Sequence, residues 1–405
     1  MRVPLAPSGL REKDIEAVQR VLRSGNLTMG ELVTSFELEM ARYLKSEYFV
    51  MMNSGSSANL AILEALIRPT RTESLLKKDE EVLVPAIAWP TTIWPIIQLG
   101  LVPRFVDINP LTLEIDLEHA ATIIKSSPNK IKGIFPIHPL GFGIDNKKID
   151  SFAKEFNLVL INDVCESLGS WQDHEHSGII GEASSFSFYF SHHMTTMEGG
   201  GVATNNKKTY NDLKSIRSHG WSRDRTDVSD WNFEVHPSMQ KFNFVSTGFN
   251  IRPMEIQAAV GLEQLRDLES FIAKRREIVN RIYDAIKSTE LNLIGVQGDI
   301  DIQSNRRHSW MHIPIRIESK NPTEARLRAV RFLEDSGIET RPPLTGNFLK
   351  QPAMSRYIGS NTSRDFKYAD YISDSTFLIG CHHDLSEKQI EYVVEKLKTL
   401  VEKIL

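Results

Sequence analysis

Residues 48–66, YFVMMNSGSSANLAILEAL, decide how the chain folds. The first five are apolar without alternation, as in a strand covered on both faces of a sheet. Small polar residues follow from Asn53 to Ser57, and after them apolar residues recur at helical spacing. A strand that runs through a serine-glycine turn into a helix is the repeating unit of an α/β fold. Gly55, Ser56 and Ser57 then stand at the positive end of that helix, where backbone N–H groups and hydroxyls stabilise a phosphate. The same residue types are ordinary helix caps, so the turn alone leaves both roles open.

Outward from this stretch the unit recurs. VLVP (Val82 to Pro85) precedes TTIWPIIQLG, PRFVDI (Pro103 to Ile108) precedes LEHAATIIK, and LVLIND (Leu158 to Asp163) follows IDSFAKEF. This rhythm predicts an α/β fold with a mainly parallel sheet covered on both faces, whose ligands bind at the carboxyl ends of the strands. The 22 uncharged residues from Val82 to Pro103 are long enough to cross a membrane, but Pro85, Pro90, Pro95 and Pro103 break any single helix there. The stretch reads instead as strand, loop and short helix.

Past about Ile251 the texture changes. IQAAVGLEQLRDLESFIAKRREIVNRIYDAI is a long charged helix, SWMHIPIRI a strand, and a helix from Pro322 ends at Gly337. The last helix opens on a capping-box pair, Ser386 and Gln389, and keeps one apolar face through Ile390, Val393, Val394, Leu397, Val401 and Ile404. The expected organisation is a large domain over residues 1–250, with an N-terminal segment packed on the smaller domain, and a smaller C-terminal α/β domain over 251–405.

Composition removes several classes of function. A formal net charge of -4 with a pI near 6.3 supplies neither a basic stripe for nucleic acid nor a polybasic membrane anchor. MRVPLAPSGLREKD has no apolar core of a secretory signal, so no export is expected. The two cysteines, Cys165 and Cys381, are too few for a disulfide framework or a four-thiolate zinc or iron–sulfur site, which suits the reducing cytoplasm.

The strand exits carry the chemistry. Asp163, with Glu166 beyond it in DVCES, either pairs with a protonated ring nitrogen or caps the next helix. Trp89 in AIAWPTT either stacks on a planar group or packs in the core. A phosphate cup, an acid and a stacking plate at three strand ends together describe a site for pyridoxal phosphate. Ser184 to Gly201, SSFSFYFSHHMTTMEGGG, runs from a buried strand into a polar loop bearing His192 and His193, of which the second points away from the first. The DHEH run at Asp173 reads as a solvated loop rather than a zinc site.

LTMGE near Leu27, NSGSSANL at Asn53, DVCESLGS at Asp163, SFSFYFSHHMTTMEGGGVATNN at Ser185 and GFNIRPMEIQAAVGLEQL at Gly248 resemble, in order and over nearly the whole chain, the DegT/DnrJ/EryC1/StrS sugar-nucleotide aminotransferases. The resemblance implies fold-type I of the pyridoxal phosphate enzymes, related to aspartate aminotransferase, and a homodimer with active sites at the subunit interface. It places the cofactor phosphate on Gly55, Ser56, Ser57 and Ser187, with Asn250 of the partner subunit; Asp163 at the pyridine nitrogen; Trp89 over the ring; and Glu166 near the phenolic oxygen.

One residue departs from the aminotransferase pattern. Where that family carries the lysine that bonds the cofactor covalently, this chain has His192. Imidazole makes no stable imine but exchanges protons near neutral pH, with an ordinary pKa of about 6.5. The cofactor is then expected noncovalently, as pyridoxal or pyridoxamine phosphate. FSHHMTTMEGG and TRPPLTGNFLKQPAM (Thr340 to Met354) resemble the 3-dehydratase branch, and the shortage of cysteines points to its cluster-free members, which act on GDP-4-keto-6-deoxymannose for colitose and O-antigen synthesis, with L-glutamate as amine donor. His219, Arg223, Arg341 and Asn347 are candidate contacts for the nucleotide sugar. The alternatives are a 4-aminotransferase with an atypical histidine and a noncatalytic sugar-nucleotide-binding regulator; the intact serine cup and Asp163 speak against the second.

Overall fold

The apolar run at Tyr48 is a strand whose alternate side chains enter two different cores. Val50 and Met52 pack into the largest apolar cluster, while Phe49 and Met51 pack on the other face with Phe36, Met40 and Phe186. That is why the run shows no polar alternation. The computed structural model describes all residues except 8, 71, 128, 173, 229–238, 240–241, 297–307, 358–365 and 404–405. Asp173 and Ile404 of the sequence reading lie outside the described residues.

In chain order the first elements are α1 (Glu12–Ser24), α2 (Glu31–Leu44), β1 (Tyr48–Met52), α3 (Gly55–Ile67), β2 (Glu81–Pro85), α4 (Pro90–Gln98) and β3 (Val102–Val106). Next come α5 (Leu117–Ser126), β4 (Ile131–Ile134), α6 (Asn146–Glu155), β5 (Val159–Asp163), the hairpin β6 (Trp171–Gln172) and β7 (Glu175–His176), β8 (Ala183–Ser187), β9 (Gly200–Thr204) and α7 (Lys207–Ile216). The rest comprises α8 (Glu255–Ile286), β10 (Leu291–Leu293), β11 (His312–Ile317), α9 (Pro322–Asp335), α10 (Lys367–Ser375), β12 (Thr376–Gly380) and α11 (Glu387–Lys403).

Seven strands form the main sheet in the order β1-β9-β8-β5-β4-β2-β3, and only β9 runs against its neighbours. The exits of β1, β2, β5 and β8 therefore open on the same edge. Helix starts are fixed by side chains: Ser54, Asp116, Asp145 and Asn206 cap α3, α5, α6 and α7 by accepting N–H groups of the first turn. α3 is buried nearly all round, which explains its lack of a polar face. The stretch from Val82 to Pro103 folds as strand, loop and helix, with Pro90 at the first position of α4 and Pro95 inside it.

The smaller sheet, β10-β11-β12, is antiparallel. The N-terminal segment docks beside it: Val3 N donates to the Gly337 carbonyl at 2.8 Å, and Glu339 N donates to the Val3 carbonyl at 3.0 Å. Ser386 and Gln389 form the expected reciprocal cap of α11, with Ser386 N donating to Gln389 Oε1 at 2.9 Å. Glu175 and His176 of the DHEH run form β7, and His176 is a core residue rather than part of a solvated loop: its Nε2 accepts the Gly169 N–H at 2.9 Å and its Nδ1 donates to the Ser177 carbonyl at 2.8 Å. Burial pushes its pKa down to about 3. Among the described residues no cluster of three or more histidine, cysteine or carboxylate side chains is disposed to hold a metal, and no helix is long and apolar enough to cross a membrane.

Candidate active site

A cavity of about 1030 Å³ lies over the strand exits. Ser54, Gly55 and Ser56 form one wall at the start of α3, and Ser187 at the end of β8 faces them. Ser57 is turned to Ser54: the Ser54 hydroxyl accepts the Ser57 N–H at 3.1 Å and donates to Ser57 Oγ at 3.0 Å. The two walls are so close that a Cβ on Gly55 would stand 2.6 Å from Ser187 Cβ, and one on Gly200 would stand 2.3 Å from Gly55 N. Only glycine allows this approach. Gly55→Ala is expected to destabilise the fold by about 1–3 kcal/mol through forced repacking and to weaken phosphate binding; the shift of the denaturant midpoint with and without inorganic phosphate measures both.

Asp163, at the end of β5, is 4% exposed. Its Oδ2 accepts from Asn59 Nδ2 at 2.8 Å and Thr92 Oγ1 at 2.7 Å, and its Oδ1 accepts from Cys165 N at 3.1 Å. All three donors are neutral, so the carboxylate is oriented but its charge is not cancelled by them. The support has a traceable origin in sequence. Pro95 has no N–H for the Thr91 carbonyl four residues back, and that carbonyl instead accepts the second proton of Asn59 Nδ2 at 3.1 Å. A proline in α4 thus helps to lock the amide that holds Asp163.

His192 lies in the loop after β8 and lines the cavity. Its Nδ1 donates to the Cys165 carbonyl at 2.7 Å, which fixes the tautomer and leaves the lone pair on Nε2. Burial pushes its pKa down to about 4, with Arg275 and Arg341 pushing the same way against the Cys165 carbonyl and Asp163. The ordinary histidine value assumed from sequence is thus corrected: the ring is neutral throughout the physiological range. His193 is buried, with its pKa pushed well down by burial, and takes no part in the cavity wall.

Glu166 also lines the cavity; its Oε2 accepts the Leu140 N–H at 2.9 Å, and burial raises its pKa. Trp89 is 46% exposed at the cap of α4, and the Arg341 guanidinium lies over its ring, 5.5 Å from the centroid. A tryptophan packed in the core would be covered; this one is a wall of the cavity.

The other candidates lie elsewhere. His219, Arg223 and Asn250 are exposed and do not line this chain's cavity; the Ser218–Asn250 and Trp221–Phe244 β-bridges pair the segment that carries His219 and Arg223 with the one that carries Asn250. Asn347 is buried and caps the turn at Phe348–Lys350; its Oδ1 accepts the Leu349 N–H at 3.1 Å and its Nδ2 donates to Asp370 at 2.7 Å. Both ends of its amide are engaged in the fold. Sequence reasoning missed Arg2 and Pro4–Pro7, which wall the cavity through the docking at Gly337, and also Glu339, Met311 and His312. A local signal existed only for His312, a histidine that opens the apolar strand β11.

The set fits pyridoxal phosphate: a cup of small residues that a Cβ would fill, a buried carboxylate held by neutral donors, and an exposed aromatic face, all lining one cavity. A family profile described as the DegT/DnrJ/EryC1/StrS aminotransferase family matches residues 9–398. The chain is 36% identical over 399 residues to the GDP-4-keto-6-deoxy-D-mannose 3-dehydratase of Yersinia pseudotuberculosis, covering 98% of each. A crystal structure of a GDP-4-keto-6-deoxymannose-3-dehydratase, a histidine-to-asparagine variant with bound GDP-perosamine, superposes with a TM-score of 0.88 at 33% identity, over 98% of this chain and 100% of that one. Another, with a trapped PLP-glutamate geminal diamine, gives 0.86 at 32% over the same shares. The fold is accordingly the type I α/β fold of the pyridoxal phosphate enzymes, and this chain belongs to the DegT/DnrJ/EryC1/StrS aminotransferase family.

Proposed function

We propose that the protein is a pyridoxal/pyridoxamine phosphate-dependent 3-dehydratase that removes the C3 hydroxyl of GDP-4-keto-6-deoxymannose and uses L-glutamate to restore the amine form. The observation that carries this reading is His192, a neutral imidazole anchored at the cavity wall, in place of the lysine of the aminotransferases. The names of its relatives support the substrate, and the glutamate-bound relative supports the amine donor. When bound, the cofactor supplies an amine for the C4 ketone and an electron sink for the electrons of the broken C–H bond.

The residues divide the remaining work. Gly55, Ser56 and Ser187 hold the phosphate, with Ser57 bracing Ser54 and Asn250 of the partner subunit completing the cup. Asp163 keeps the ring nitrogen protonated, Trp89 covers the ring, and Glu166 faces the phenolic oxygen. His192 Nε2 takes the proton from the carbon that bears the cofactor's amine and gives it to the departing C3 hydroxyl. Arg341, beside Trp89, contacts the nucleotide sugar. His219 and Arg223 are exposed on the segment that pairs with the one carrying Asn250, which suits residues that serve the partner's cavity, so the working unit is a homodimer with its active sites at the interface. Two unpaired cysteines and a balanced charge support a cytoplasmic enzyme without nucleic-acid or membrane partners.

Because His192 must be neutral to act as base, its contribution is present above its pKa and is lost as pH falls through about 4. Single-turnover dehydration is therefore expected to be level across the interval around about 6.5 where free histidine titrates. A base limb centred there contradicts the assignment. Substrate class is tested by assaying GDP-, CDP- and dTDP-linked 4-keto-6-deoxyhexoses side by side: the GDP sugar is expected to turn over fastest, with loss of the C3 oxygen, and an aminated product from all three defeats the proposal.

A further inference from the structure

His192 is held at two points. Its ring is bonded to Cys165, and its main-chain carbonyl accepts Arg275 Nη2 at 3.2 Å. Arg275 comes from the middle of α8, is 0% exposed and does not line the cavity. Its Nη1 donates to the carbonyls of Trp310 at 3.1 Å and Met311 at 3.0 Å, and lies 3.8 Å from Cys381 Sγ. Among the described residues its hydrogen-bond partners are carbonyls and a sulfur, and the one carboxylate that acts on it, Asp384, does so through its field without an ion pair. A buried guanidinium held in this way is costly in desolvation, and an apolar side chain of similar volume would suit stability at least as well. The three carbonyls it gathers come from two segments far apart in sequence, one at His192 and one at Trp310 and Met311.

Those segments close a circuit around the site. Met311 N donates to the Leu140 carbonyl at 2.9 Å, and Leu140 N donates to Glu166 Oε2 at 2.9 Å. Glu166 follows Cys165, whose carbonyl holds the His192 ring. We propose that Arg275 is a positioning residue for His192: its guanidinium ties the His192 carbonyl to the two residues just before β11 and so sets where the ring stands in the cavity. The inference rests on the role of His192 as the base. A planar fork with five donors spans three carbonyls; an ammonium group does not hold that geometry.

Arg275 also acts on the ring through its charge. Of the groups that face His192, Asp163 favours the protonated ring, Arg275 and Arg341 oppose it, and His193 and His312 are themselves buried and neutral. Removing the Arg275 charge therefore raises the His192 pKa and moves the acid limb of activity to higher pH.

The test uses Arg275→Lys and Arg275→Met in the full-length enzyme, with His192→Asn as control. Turnover of the GDP sugar is followed in the holoenzyme, and the His192 imidazole is titrated by NMR in cofactor-free protein, its resonance identified by its loss in His192→Asn. Arg275→Lys is expected to lower kcat on the order of 10- to 100-fold, as for a slightly misplaced catalytic group, with KM near the wild-type value and the His192 titration little changed. Arg275→Met is expected to lower kcat similarly and to raise the His192 pKa. A lysine variant with wild-type kcat, or a folded methionine variant with an unmoved His192 titration, overturns the proposal. If the methionine variant does not fold, the lysine variant decides by kcat, and a lysine variant that fails to fold marks Arg275 as structural and also counts against it. Full activity of His192→Asn would instead remove the base assignment itself, while the NMR titration would still report what Arg275 does to the ring.

Discussion

His192→Asn is expected to lower dehydration on the order of 10²- to 10⁴-fold, the range associated with loss of a positioned general base, while cofactor affinity stays close to wild type. Asparagine can still donate to the Cys165 carbonyl from a similar place, so the loop after β8 keeps its anchor. What it lacks is the basic ring nitrogen, with its free lone pair, that accepts a proton from carbon. The proposed holding contacts, at Gly55, Ser56, Ser187, Asp163 and Trp89, come from other parts of the chain. The effect therefore separates into two readouts: product formation collapses, and the spectroscopic titration with pyridoxal phosphate does not move. Substantial turnover by the variant excludes His192 as the base, and parallel loss of cofactor shows that it is a binding residue.

Asp163→Ala is expected to cost the cofactor on the order of 100-fold or more in affinity, since removing one partner of a buried charge pair typically costs about 3–5 kcal/mol. The loss has two sources. In the proposed site the ring nitrogen loses its counter-charge, and the donors of Asn59, Thr92 and Cys165 lose their common acceptor. Asp163→Asn keeps the volume but turns donors toward donors, so it rescues little. Thermal unfolding distinguishes this from a folding defect: adding pyridoxal phosphate raises the wild-type Tm, as any ligand selective for the native state does, and the increment is expected to vanish in both variants. An increment of wild-type size in Asp163→Ala contradicts the assigned partner of the ring.

The sequence made the sheet legible because its strands are buried on both faces. Val50 with Met52 and Phe49 with Met51 are all apolar for the same reason, although they enter different cores. The positions of Gly55 and Asp163 at the cavity were legible because both sit at strand ends, where local pattern and position coincide. His192 stood out as one changed residue inside a long motif. Trp89 was ambiguous because stacking and core packing call for the same side chain, and only its exposure separates them. Long-range contacts left no such trace. Arg2 meets Glu339 across 337 positions, and Arg275 meets His192 across 83, so neither the N-terminal wall of the cavity nor the clamp on the base has a local signature. The same holds for the depressed pKa of His192, which burial and two distant arginines produce. Asn347 looked like a site residue because polar loop residues and turn caps share a composition, and its hydrogen bonds make it a cap.

The most direct measurement of the central claim is the stoichiometry of the full cycle. Two cysteines in the whole chain cannot supply the four ligands that an iron–sulfur cluster usually takes, so the proposed cycle closes by hydrolysis of the aminated product and by amine transfer from glutamate. Purified, iron-free protein is incubated with GDP-4-keto-6-deoxymannose, pyridoxal phosphate and L-glutamate, and the sugar, 2-oxoglutarate and ammonia are quantified together. The account predicts one 3-deoxy sugar, one 2-oxoglutarate and one ammonia for each glutamate consumed, sustained over many turnovers without a reductase. An amino group retained at C4 of the sugar, or turnover that requires a reductase and NADH, would contradict it.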